Sequence, residues 1–400
     1  MNSALAGVRV IEFGQFIAVP AAGKILADMG AEVVKVEPVG GETARHIGAY
    51  GDAIVRTYNG DKRAVAVDLK DPDGTALARR LVGAADVVLQ NQRDGVMDAL
   101  GLGPTEVRAA NPDVIYASVS GFGTRGPSRG RAGFDIAAQA ESGMMWVTGE
   151  AGRDPQRIGF PVVDAAAGHV LAEAVLGAYI RRLRFGGGQD IEVSLLEVAI
   201  HLQGANWSEY FTSGRGPERK GNGQPTVAPA ADVVPTADGA IVLSAYTPGH
   251  FTKLCALIDR PDLDADERFA TNALRVTHRE ALLTELSAAF RRMKSADALE
   301  LMTSNGVVAA GIHSYEQAAE SPDVQAAGIF VDLVPEDGTD GASGYRTLRS
   351  PWRTSAGDPV PRRPAPRLGR HTRELMTELG YPPAEIDALR ERGTVRTDDS

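Results

Sequence analysis

Only one of the 400 residues is a cysteine, Cys255, so the chain cannot form an internal disulfide or a cysteine-based zinc site. Positive charge is in deficit as well. The 42 Lys and Arg against 52 Asp and Glu give a formal net charge of −10, which disfavours general binding to nucleic acid or anionic membranes unless basic residues are locally concentrated. No uninterrupted apolar run approaches the roughly 18 residues of a membrane span. The stretch after Asp164 is broken by His169, Glu173, Arg181 and Arg182. The N-terminal MNSALAGVRVIEF passes straight into a strand-like pattern, with neither the basic region nor the apolar stretch of a secretory signal. These absences predict a cytoplasmic protein in a reducing compartment, with no membrane or nucleic-acid partner. A GxGxxG turn is also missing after the first strand, where the chain reads GQFIAVP, and this weighs against dinucleotide binding. There is no internal repeat.

What remains is the composition of a folded enzyme, 43% hydrophobic and 24% charged, in a chain long enough for two domains. Over the first 120 residues strand-like and helix-like segments alternate: VRVIEF at 8–13, a helix near 19–29, AEVVKVE at 31–37, AVAVDL at 64–69, a helix near 73–84, DVVLQ at 86–90 and VIYASVS at 114–120. This pattern predicts an α/β fold with a mainly parallel sheet covered by helices. Ligands in such sheets bind at strand C-terminal ends, here Gly14 to Ala18, Glu37 to Gly41, Asn91 to Gly95 and Ser120 to Gly126. GRGPERKGNGQP interrupts the pattern. We therefore expect a large domain from 1–215, a smaller α+β domain with its linker from 216–325, and a return to the large domain over 326–400. The Pro- and Arg-rich PVPRRPAPRLG reads as an extended crossing segment.

The most informative residue is Asp164, in GFPVVDAAAGH. Residues 157–163 read as an extended run and the small-residue stretch after Asp164 as a buried helix, which puts Asp164 at the N-cap. There its carboxylate would accept first-turn N–H groups, and the helix dipole would favour its ionised form. Two readings fit: a plain cap, or a nucleophile.

Around Asp164 and along almost the whole chain the sequence resembles the class III CoA-transferases, the family that includes formyl-CoA transferase and carnitine CoA-transferase. The resemblance is carried by GVRVIEF, ADMGAEVVKVEPVGGETAR, NGDKRAVAVDLKDPDG, NQRDGVMDALGLG, NPDVIYASVSGFGTRGP, GFDIAAQAESGMM, the Asp164 segment, GGGQDIEVSLLEVAI and PRLGRHTRELMTELG, in that order. It implies a Rossmann-like large domain formed from both ends of the chain and an interlocked homodimer. It also implies an acyl-CoA donor and a carboxylate acceptor, coenzyme A as the carried group, no metal or redox cofactor, and Asp164 as the covalent catalyst. The loop KGNGQP matches the family's mobile glycine-rich loop, so Gly221, Gly223 and Gln224 are candidates to close over the intermediate and supply N–H donors to its oxyanion. A flexible interdomain turn is the alternative. Gln15, Phe16 and Ala18 match the pantetheine-facing segment, and Leu69, Lys70, Asn91, Gln92 and Arg93 match expected CoA contacts. Lys62 and Arg63 are candidates to approach phosphate, or else solvated surface charges.

The chain departs from its relatives at Pro38 and Ala99, where some place arginines, at Ile17, where formyl-CoA transferases have glutamine, and at Gln92, which replaces an aromatic. Related α-methylacyl-CoA racemases share the fold and use an aspartate at the Asp164 position, with a histidine and a glutamate as further proton carriers. Phe134 and Thr247 stand at those two positions here, so transfer is favoured over racemisation, which needs proton carriers on both faces of a carbon. A catalytically silent acyl-CoA-binding protein is the third reading. Phe134 is placed in the acyl pocket. Gln139 and Glu141 orient polar substrate groups or serve the core and surface, and Asp135 reads as another N-cap.

Overall fold

The computed structural model describes residues 3–224, 228–334, 344–355 and 357–398. The chain divides into two compact units, one comprising 1–144, 157–208 and 327–400, the other 145–156 and 209–326. In the first unit, β1 (Arg9–Phe13), β2 (Glu32–Glu37), β3 (Arg63–Val67), β4 (Val87–Gln90), β5 (Ile115–Ser120) and β6 (Gln189–Ser194) form one parallel sheet in the order 3-2-1-4-5-6. Beyond β3 the short strand Val395–Arg396 pairs antiparallel with Val67 and Ala66. The direction of winding reverses between β1 and β4, the place where doubly wound sheets bind ligands.

Valine and isoleucine occur at successive positions in these strands because both faces of a parallel sheet are covered. Successive residues point to opposite faces. Val10, Val33, Val87 and Ile115 join one core with the helices Ala18–Asp28 and Val162–Phe185, through Val19, Leu26, Val163, Leu171 and Val175. Their neighbours Ile11, Val34, Val88 and Tyr116 join a second core with the helices Pro72–Gly83, Thr372–Glu378 and Pro383–Glu391, through Leu77, Leu81, Leu375 and Ile386.

The helix Val162–Phe185 approaches the helix Ala18–Asp28 so closely that a Cβ at Gly168 would lie 2.6 Å from Ala21 Cβ and 3.0 Å from the Ala18 carbonyl oxygen. The run of small residues in AAAGH serves this contact. By length and mean hydropathy, 1.3 over its most apolar window, the helix is also sufficient to cross a membrane, a property shared by core helices of soluble proteins. His169, Glu173, Arg181 and Arg182 interrupt it, so no uninterrupted apolar run marks it in the sequence.

The second unit is built on an antiparallel sheet of Ala231–Pro235, Ala240–Ser244 and Val308–Gly311. Helices Pro248–Leu257, Arg279–Phe290 and Ser295–Ser304 contribute Phe251, Leu254, Leu286, Phe290 and Met302 to its core. Residues 145–156, assigned from sequence to the large domain, cluster with this unit. Two contacts account for it: the Arg219 guanidinium donates to the Trp146 carbonyl and lies over its ring, and Gly221 N–H donates to the Gly149 carbonyl.

Candidate active site

The helix carrying Asp164 starts at Val162, with Pro161 as N-cap, so Asp164 is the third residue of the first turn and not the cap expected from sequence. The capping is done from elsewhere in the chain. One oxygen of Asp135 accepts the N–H groups of Val163 (2.7 Å) and Asp164 (3.1 Å), satisfying two of the four orphan donors of this helix end. Its other oxygen accepts from the Gln139 side-chain amide at 2.5 Å, and Gln139 in turn accepts the Ile158 N–H at 2.9 Å. Asp135 and Gln139 are buried, which makes these charge-assisted bonds rigid supports for the turn.

The half-buried Asp164 carboxyl makes no hydrogen bond among the described residues. Burial first, then repulsion from Asp135, push its pKa up to about 7. The ionised form expected from the helix dipole is therefore disfavoured, because desolvation and a like charge outweigh the dipole.

The loops after β1 and β4 meet at the reversal point and are zipped by side-chain amides. Gln15 N–H donates to Asn91 Oδ1 and Asn91 Nδ2 donates to the Gln15 carbonyl, each at 2.9 Å. Gln92 Nε2 donates to the Phe13 carbonyl at 2.8 Å. Gln92, which stands where relatives have an aromatic, thus fastens the two strand ends together. Phe16 adopts φ +61°, the left-handed region rarely used by residues other than glycine, and its ring meets that of Phe134 edge-on at 6.0 Å. Phe134 is 62% exposed and directly precedes Asp135. Ala18 is buried at the start of its helix, its carbonyl against Gly168, one turn beyond Asp164. The structure therefore joins Asp164, Phe134, Phe16, Gln15, Ala18, Asn91 and Gln92 in one constellation.

The cationic candidates divide. Leu69 packs partly buried at the end of β3, with its carbonyl bonded by Thr75. Lys70 and Arg93 are exposed and form no ion pair among the described residues, so both are open to an anionic ligand. Lys62 and Arg63 are not. Lys62 is buried, with Nζ donating to Glu12 (2.7 Å), the Pro20 carbonyl (2.9 Å) and Asn59 (3.0 Å), and burial chiefly lowers its pKa to about 8. Arg63 is held by Glu32, Glu374 and Glu378. Neither reading offered from sequence, phosphate contact or solvated charge, describes Lys62.

Gly221, Gly223 and Gln224 belong to the second unit, and Pro225 of the same loop lies outside the described residues. Their backbone donors are engaged in this structure: Gly221 N–H with the Gly149 carbonyl, Gly223 N–H with Lys220, and Gln224 N–H with Ala231. Gly221 needs its positive φ of +64°. At Gly223 a Cβ would overlap the Arg279 guanidinium, which pairs with Asp232. Gln224 accepts from the Tyr246 hydroxyl at 2.8 Å. Thr247 caps the helix Pro248–Leu257 by accepting the His250 N–H, and His169 is exposed. Glu141 pairs with Arg131 at 2.6 Å.

Sequence reasoning missed the capping role of Asp135, whose partners lie 28 and 29 residues on. It also missed Tyr58, packed on Ile17, Ile54 and Val55 with its pKa raised by burial, then by Tyr50 and Asp164. No local signal marks either one.

The fold and this turn define an α/β protein with a partly buried carboxyl of raised pKa on a helix packed beside a parallel sheet. The CoA-transferase family III model matches residues 5–372, and the chain belongs to that family. It is 40% identical over 94% of its length to the succinate–glutarate CoA-transferase of Agrobacterium fabrum, covering 95% of that protein. It is 36% identical to the succinyl-CoA–D-citramalate CoA-transferase of Chloroflexus aurantiacus, over 93% of each chain. The crystal structure of a CAIB/BAIF family protein from Brucella suis superposes with a TM-score of 0.85 at 34% identity, covering 95% of this chain and all of that one. The protein is a CoA-transferase, and its substrates are a CoA thioester and a carboxylate.

Proposed function

We propose that this enzyme moves CoA between dicarboxylic acids through covalent intermediates on Asp164, and that it works as an interlocked homodimer in the cytoplasm. The observation that carries the reading is the Asp164 carboxyl itself: half-buried, without a hydrogen-bond partner of its own among the described residues, and fixed by its backbone to Asp135. An Asp164 oxygen attacks the thioester carbonyl, the C–S bond breaks, and CoA thiolate leaves behind a mixed anhydride. The thiolate then attacks the aspartyl carbonyl, releasing the donor acid as carboxylate and forming an aspartyl-CoA thioester. An acceptor carboxylate attacks this thioester and expels the thiolate. Attack of the thiolate on the acyl carbon of the second anhydride releases the new acyl-CoA and regenerates the Asp164 carboxylate.

No redox partner enters this balance. Gln15, Phe16 and Ala18 face the pantetheine, Lys70 and Arg93 offset CoA phosphate charge, and Phe134 bounds the acyl group. Gly221, Gly223 and Gln224 serve as oxyanion donors only if their present bonds exchange for the intermediate. Dicarboxylates are inferred from the substrates that the names of the relatives carry: succinate and glutarate in one, succinyl and citramalate in the other. Exposed Phe160, Ile180, Leu183 and Phe185 beside and along the Asp164 helix favour a second copy covering it. Racemisation is disfavoured because Phe134 and Thr247 carry no titratable proton.

Incubation with succinyl-CoA followed by denaturing mass spectrometry will show a CoA or succinyl adduct on the Asp164 peptide. The adduct will be absent in Asp164→Ala. Turnover without any adduct, even after rapid quenching or hydroxylamine capture, would remove the covalent mechanism.

A further inference from the structure

Beneath the Phe16 turn lies a buried set of charges that the chemistry above does not use. Glu12, Lys35, Glu42 and Lys62 are each at most 2% exposed and come from β1, β2, the segment after β2 and the residue before β3. Lys35 Nζ lies 2.9 Å from Glu42 Oε1 and 3.3 Å from Glu12 Oε1, and donates to the Gly14 carbonyl at 2.9 Å. Lys62 bonds the other oxygen of Glu12 and the Pro20 carbonyl. Glu42 Oε2 accepts the Phe16 N–H at 2.8 Å, and the Glu42 N–H is itself fixed by Glu37 at 3.2 Å. The network therefore grips the turn from β1 into its helix at three backbone points, Gly14, Phe16 and Pro20. The middle one is the residue in the left-handed conformation.

Buried ion pairs are a poor source of net stability, since desolvation offsets their attraction. Here the four groups together fix three backbone points of one turn, with the left-handed Phe16 held by Glu42 in the middle, and that is a different use. A non-glycine residue stays left-handed only where its surroundings over-determine it. Phe16 contacts Phe134, and Phe134 adjoins Asp135, which holds the Asp164 turn.

We propose that Glu42, held in place by Lys35, is a positioning residue of the acyl-CoA site: it fixes Phe16 in its left-handed conformation and, through the Phe16 ring, sets Phe134 beside the Asp164 turn. The proposal rests on this turn being the acyl-CoA site. CoA affinity is therefore the chosen readout, because it does not require knowing the two acids.

The test is a double-mutant cycle in the full-length enzyme, with CoA binding measured by calorimetry and the folded fraction by thermal melting. Glu42→Ala and Phe16→Ala should each weaken CoA binding about tenfold, and the double variant should be no weaker than the weaker-binding single. Effects that multiply instead of coinciding would overturn the link. Where Glu42→Ala yields no folded protein, Glu42→Gln decides. It loses the charge that holds Lys35, and should weaken CoA at least threefold in wild-type background but not in Phe16→Ala. Unchanged CoA affinity in Glu42→Gln, or a lowered melting temperature with CoA affinity intact, would make the network merely structural and overturn the proposal. A wild-type protein that fails to bind CoA would instead strike the reading of the site itself.

Discussion

Replacing Asp135 by Asn separates the two effects this residue exerts on Asp164. The carboxylate accepts two N–H groups of the Asp164 helix on one oxygen and the Gln139 amide on the other. An Asn at this position keeps one oxygen for the helix but turns an NH2 towards Gln139, donor against donor. It also makes the helix bonds neutral, and bonds to a charged acceptor are each worth about 1.5–3 kcal/mol against about 1 for neutral ones. A loss of about 1–3 kcal/mol follows, or several degrees of melting temperature at about 2–4 °C per kcal/mol.

The second effect has the opposite value for catalysis at low pH. Burial still raises the Asp164 pKa, but the contribution of the neighbouring charge disappears. The acid limb of kcat/KM, expected near pH 7 in the wild type from the raised Asp164 pKa, should then move down by about one unit, of the order one adjacent charge exerts. Steady-state rates of thioester exchange from pH 5 to 9, with melting curves on the same samples, read both effects. An acid limb that stays in place or rises would refute the electrostatic half. An unchanged melting temperature would refute the capping half.

Two further substitutions test the surroundings of the turn. In Asp164 the folded pKa of about 7 lies above the ordinary aspartate value of 3.8, so between these pH values the native state holds a proton that the unfolded state has lost. The associated stability is fully present below about pH 4 and is lost by pH 7, at up to about 1.4 kcal/mol per pH unit. Asp164→Asn should therefore abolish transfer yet melt higher than wild type at pH 8, with an advantage that shrinks to about 1 kcal/mol or less by pH 4.5; a variant less stable at pH 8 would contradict the burial argument. Gly168→Val drives a side chain into Ala21 and the Ala18 carbonyl, so it should cost about 1–3 kcal/mol. It should also raise the KM for acyl-CoA, and an unaltered KM in folded protein would detach Ala18 from the site.

The sheet was legible because both of its faces are covered. Runs such as AVAV in β3 and VVLQ in β4 need apolar residues at consecutive positions, and the resulting segments stand out between polar turns. Asp164 stood out by its family motif, but its place in the helix did not. The GFPVV stretch has a proline and two β-branched residues and reads as extended, whereas the helix begins at Val162 because Asp135 caps its first turn at Val163 and Asp164, from 28 and 29 residues away in sequence. The helix Gly48–Tyr58 escaped notice for a related reason. It buries only Gly51, Ile54 and Val55, too few to set a period. Lys62 reads from sequence as a phosphate contact or a solvated surface charge, since no local pattern announces that Glu12, fifty residues earlier, awaits it.

Inside the first turn and beside Asp135, the Asp164 carboxyl is in an environment suited to the proposed covalent chemistry. A helix dipole acting alone would have given a contented carboxylate, stable as an anion and correspondingly weak as a nucleophile. Burial and Asp135 instead make the free anion the unfavourable state of this side chain. An anhydride or thioester at the same carbon is neutral, so acylation relieves both the desolvation of the charge and its repulsion from Asp135. The turn therefore favours the acylated forms relative to the resting carboxylate, while the bonds from Asp135 hold the backbone still as the charge disappears. One buried carboxylate thus positions the proposed nucleophile and raises its basicity. The proposed mechanism needs both from it, because it hands each of the two acids over through the same aspartyl carbon.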